Sequence, residues 1–205
     1  MDLNDLVGAA VLGYIFLAAI YEWASGRSAN GVRTAQDWKI AGLTTVMMVV
    51  IQRPLVLLII SYTLTLLVPG SAGSLAWLDN QYFWPTVIAF FCLEELIHGA
   101  GHYFAHCKRP KHRWAQAIQA VYKLSHRPHH FSGDDERGKV TVTQTFTNGW
   151  LWWLIMPNYW FQLLALYLGL VDVFLWGTVA KGLWAAHTHT QWNYDLYFHN
   201  HHWAW

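Results

Sequence analysis

Five apolar stretches decide what this chain can fold into. They cover about residues 6–23, 38–68, 82–106, 150–170 and 171–186. A helix rises about 1.5 Å per residue, so roughly 20 apolar residues cross ~30 Å of hydrocarbon. Of the 205 residues, 55% are hydrophobic and 12% charged, about half the charged share of an ordinary soluble domain. The expectation is an all-α, polytopic integral membrane protein, one domain over residues 1–205 with about five transmembrane helices. The first stretch follows Met1-Asp2-Leu3-Asn4-Asp5. With no basic segment ahead and no small-residue cleavage site behind, it reads as a retained helix and not a signal peptide.

The second stretch is too long for one straight crossing and is interrupted at Gln52-Arg53-Pro54, where proline removes a backbone donor. One long, tilted, kinked helix is expected over a hairpin, because a hairpin leaves only about 14 residues on either side. Residues 69–81 read as a loop without lysine or arginine, and residues 107–148 as the only extended polar region, with eight Lys/Arg. Three more, Arg27, Arg33 and Lys39, lie near the first connection, leaving Arg53 and Lys181 inside spans. Basic residues mark cytoplasmic loops. With the second stretch as one crossing, the end of span three, the polar region and the C-terminus share the cytoplasmic side.

Span three carries Glu94-Glu95-Leu96-Ile97-His98-Gly99-Ala100-Gly101-His102-Tyr103-Phe104-Ala105-His106. At about 100° per residue, Glu95, His102 and His106 fall within roughly 40° of one another, with His98 about 60° to one side. Ionisable groups at membrane depth are costly and point to function. A second cluster holds His126, His129 and His130; a third holds His199, His201 and His202, with His187 and His189 just ahead. Of the twelve histidines only His112 stands apart. If Ser125 caps a helix, His126, His129 and His130 share a face at i, i+3 and i+4. Imidazole suits iron, zinc, copper and nickel, and one ion takes at most about six ligands, so this many histidines argue for two metals.

His102-x3-His106, His126-x2-His129-His130 and the third group resemble the histidine boxes of the fatty acid hydroxylase/sterol desaturase superfamily of membrane di-iron oxygenases, from about residue 38 onward. Glu95 looks like that family's acidic residue seven positions ahead of its first box, and is taken as the catalytic candidate. The third box, His199-Asn200-His201-His202, is one residue tighter than the family's His-x2-His-His. His189 with Asn193 resembles the family's His-x3-Asn variant, and His98 is extra. The resemblance implies a centre of two iron ions facing the cytoplasm, held by His98, His102, His106, His126, His129, His130, His187, His189, His199, His201 and His202. It further implies O₂ as co-substrate, a lipid-like or hydrophobic substrate to be hydroxylated or desaturated, and electrons from an external reductase, ferredoxin or cytochrome b5-type carrier.

Two other classes use histidines in membranes. A bis-histidine haem protein needs one histidine on each of two facing helices, which makes the second cluster superfluous. A histidine-lined metal transporter would distribute its ligands across the bilayer and not gather them on one side. A net charge of +1 without a basic, aromatic-interleaved tract speaks against a nucleic-acid partner. Two cysteines, Cys92 and Cys107, provide no disulfide framework. The fourteen tryptophans, dense in spans four and five, fit interfacial belts.

Overall fold

Pro54 shapes the longest helical run. Its ring would collide with the carbonyl four residues back and it has no N–H to donate. The computed structural model, which describes residues 3–24, 35–127, 149 and 151–189, absorbs the conflict just upstream. Helix α2 (Ala35–Met47) passes into a π turn, Met48–Gln52, and on into α3 (Arg53–Leu67) without a break. The Arg53 N–H donates to Met48 O, five residues back, and this wider turn makes room for the ring. No hairpin interrupts the run. Among the described residues the other elements are α1 (Leu3–Ala24), α4 (Ala76–Gln81), α5 (Phe83–His106), α6 (Arg113–His126), α7 (Trp152–Ile155), α8 (Pro157–Tyr167) and α9 (Val171–Thr188), with no strand.

The described chain forms two compact units. The first draws on residues 1–46, 128–147 and 182–205. Within it the Tyr14 hydroxyl lies 2.8 Å from His187 Nδ1. The second, residues 47–127 and 148–181, holds most of the described chain and the candidate site. Its strut is α5, against which α4, α6 and α8 pack, while α8 also packs on α3. Val87, Phe90, Ala165, Leu170 and Val173 form a buried cluster between α5, α8 and α9. Phe90 and Phe161 stack there with ring centres 5.2 Å apart.

Two glycines set the positions of α8 and α9. Gly169 has φ +94, and a Cβ there would lie 2.9 Å from Gly73 Cα, so the turn after α8 admits little else. Gly177 lets α9 close on α5, because a Cβ there would stand 2.2 Å from the Phe90 ring. Four residues on, along both helices, Lys181 meets Glu94. The free N–H groups at the start of α9 are satisfied by Asp79, whose carboxylate accepts from Asp172 N at 3.0 Å and Val173 N at 2.8 Å.

Several sequence expectations change. Residues 69–81 are not all loop, since α4 forms there. Residues 150–170 do not make one span: Pro157 starts a new helix at Met156, and α8 has 11 residues, about 17 Å at 1.5 Å per residue. The polar region contains α6, and Ser125 sits in its last turn and not at a helix start, its hydroxyl donating to Val121 O and Tyr122 O. Of the five expected spans, among the described residues only Thr45–Leu67 belongs to a helix long and apolar enough to cross a bilayer; residues 6–21 form a shorter apolar helix. α5 is long enough, but its two glutamates and three histidines give it a polar side.

Candidate metal centre

The site begins where α5 ends. Gln119, buried on α6, donates to Phe104 O at 3.0 Å and Cys107 O at 2.9 Å, satisfying carbonyls that the end of a helix leaves open. Phe104 meets Tyr122 edge-on at 5.5 Å, and the Tyr122 hydroxyl donates to Ile155 O at 2.9 Å. Burial pushes that hydroxyl above its ordinary range, so it stays a donor. α5, α6 and α7 are thereby clamped together.

At the other end of α6, Gly149 lies against Ser125, where a Cβ would come within 2.7 Å of Ser125 O. Its N–H donates to that oxygen at 2.7 Å and its carbonyl accepts from Gln52 Nε2 at 3.0 Å. The buried Gln52 of the π turn thus fixes the residue next to His126.

This scaffold brings His102, His106 and His126 together. One ring nitrogen from each lies within 4.8 Å of the others. His102 Nε2 and His126 Nε2 are 2.9 Å apart. That separation matches an N–H···N hydrogen bond, and equally two adjacent corners of an octahedral ion with bonds of about 2.0–2.1 Å. The rings stand nearly perpendicular, His102 to His106 at 86° and His102 to His126 at 82°. His126 is buried and lies on Trp152 at 4.2 Å, which fixes its plane. Three imidazoles from two helices, with no carboxylate among them, suit a borderline divalent metal such as iron or zinc.

One turn back along α5 is a second polar cluster. Lys181 forms an ion pair with Glu95, approaches Glu94 Oε2 at 3.1 Å and donates to His98 Nδ1 at 3.0 Å. Glu94, 1% exposed, accepts on Oε1 from Asn158 and from Gln162, both at 2.9 Å. Its Oε2 meets the ammonium as an ion pair. His98 lies parallel to His102, with ring centres 5.7 Å apart.

His102, His106 and His126 come together at the end of α5. Glu95 and His98 belong to the Lys181 cluster, and His98 stands outside the triad. His187, bonded to Tyr14, and His189, whose N–H donates to Ala186 O, lie in the first unit. His129, His130, His199, His201 and His202 lie outside the described residues. Sequence reasoning passed over Glu94 and Lys181, although a cation and an extra carboxylate in apolar runs signal a buried pair.

Comparison with protein-family models, curated proteins and solved structures found no match to this chain.

Proposed function

We propose that this chain is a multi-pass membrane enzyme that uses a histidine-held iron centre and O₂ to hydroxylate or desaturate a lipid-like or hydrophobic substrate. The convergence of His102, His106 and His126 carries the proposal. The donor set fits iron, and the remaining histidine groups provide enough nitrogen for a second ion. Bound iron would supply the reduction of O₂ and the attack on an unactivated C–H bond; the residues of this chain hold, orient and shield.

His102, His106 and His126 would hold an ion at the end of α5, with Trp152 restraining His126. Lys181 keeps the Glu94 and Glu95 charges compensated next to it. The membrane part of the proposal has its own support. Only Val56, Ile60 and Leu64 of α3 are buried, while Leu55, Leu57, Leu58, Ile59, Tyr62, Leu66 and Leu67 are exposed. A helix apolar all round but buried along one narrow stripe needs an apolar solvent on its other sides. The long, mostly apolar α5 and α1 fit the same surroundings, and the basic loop after α5 supports a cytoplasmic side for the triad.

Hydroxylation consumes O₂, two electrons and two protons and yields one water; desaturation yields two waters and an alkene. The experiment is anaerobic loading with ferrous iron, then O₂, a reduced ferredoxin and total membrane lipid, read by mass spectrometry. A lipid gaining one oxygen or losing two hydrogens, absent for His126→Ala, is expected. O₂ uptake with no lipid product overturns the proposal.

A further inference from the structure

The outer side of α6 is a surface that the triad does not use. At about 100° per residue, Ala115, Gln119, Tyr122 and His126 make up the face turned into the protein. Trp114, Ile118, Val121 and Leu124 fall on an adjoining face and stay exposed, Trp114 at 67% and Leu124 at 69%. Arg113, Lys123 and Arg127, all exposed, occupy the third side. Between residues 107 and 127 there are six Lys/Arg and no Asp/Glu. The Arg109 guanidinium donates to Gln116 Oε1 at 2.7 Å, folding the charge of the preceding loop onto the first turns of α6.

An apolar row with a cationic border is the pattern of a helix lying in a membrane surface. Its apolar side chains enter about 5–10 Å into the boundary between headgroups and acyl chains, and its cations meet anionic headgroups. The charge decides the occupant. A second copy would bring the same six cations to the contact, whereas an anionic leaflet neutralises them.

We propose that the exposed face of α6 docks on anionic phospholipid, so that the helix lies in the cytoplasmic membrane surface. The proposal rests on the membrane part of the functional reading and is independent of the oxidation chemistry. His126, on the inward face of the same helix, is then held within about one helix diameter of the lipid headgroups, where a lipid substrate would arrive.

The test places an environment-sensitive fluorescent amino acid at Leu124, at Lys123 or at Leu58 of the full chain, in nanodiscs that hold one chain. The lipid is phosphatidylcholine alone or mixed with phosphatidylglycerol. Leu58, exposed on α3, should be quenched by deep nitroxide lipids. Leu124 should be quenched by shallow nitroxide lipids, and Lys123 by a water-soluble quencher. Phosphatidylglycerol should raise the shielded fraction at Leu124, by about fivefold in equilibrium constant per engaged cation. Lys111→Gln/Arg113→Gln/Lys123→Gln should remove that gain. Equal water access at Leu124 and Lys123, with Leu58 shielded, overturns this proposal alone; water access at Leu58 overturns it together with the membrane reading. Shielding at Leu124 that ignores phosphatidylglycerol, or that needs two chains in one disc, overturns the anionic lipid as occupant.

Discussion

Lys181→Met tests the buried charge cluster beside the triad. Glu94 is 1% exposed and Lys181 15%, so the substitution leaves one carboxylate in the interior without its cation. Removing one partner of a buried ion pair costs about 3–5 kcal/mol. Asn158 and Gln162 still donate to Glu94 Oε1. Both favour the low end, about 3 kcal/mol. Adding Glu94→Gln removes the orphaned charge while keeping shape, and should recover about half of the loss. Reversible unfolding in mixed micelles, run on the wild type, both single variants and the double, gives the cycle. A Lys181→Met variant within about 0.5 kcal/mol of wild type, or a double variant no more stable than it, would refute the ion-pair account.

Other expectations follow from single contacts. Gly177→Leu should destabilise by about 1–3 kcal/mol, because the Phe90 ring occupies the space, and adding Phe90→Ala should restore part of it in the same unfolding assay. Asp79→Ala leaves two N–H groups of α9 without their acceptor and should cost about 1 kcal/mol, read as a lowered unfolding midpoint. Single cysteines at Ser71 and Lys111, in a Cys92→Ser/Cys107→Ser background, should react with an impermeant reagent from opposite sides of the membrane; reaction from one side would contradict the orientation.

Much of the fold was legible where a local rule governs. The apolar pattern of residues 82–106 gave α5 within a residue, and the i, i+4 spacing put His102 and His106 on one side of it. Pro54 announced a disturbance, but not its form, since a π turn depends on how the run settles against its neighbours. α6 was hidden because the charges on either side of it dominate the composition of residues 107–148, although Trp114, Ile118 and Val121 already carried a helical period. Pro157 should have divided residues 150–170, for a proline at a helix start is as informative as one inside it. Spacing from the first histidine pair favours Glu95 over Glu94. Burial and the amides of Asn158 and Gln162 set Glu94 apart, while Lys181, which lies 86 residues from Glu95 and pairs with both carboxylates, is brought in by Gly177. No local periodicity encodes that meeting.

Iron content is the most direct measure of the central claim. The full chain, purified without O₂ and without chelator, should carry about two iron ions, as the number of histidine ligands requires. His126→Ala should lose at least one of them while staying monodisperse in detergent, and His112→Ala should keep both. A wild-type protein that takes up no iron, or a His126→Ala variant with wild-type iron content, would contradict the assignment of His102, His106 and His126 as a metal centre.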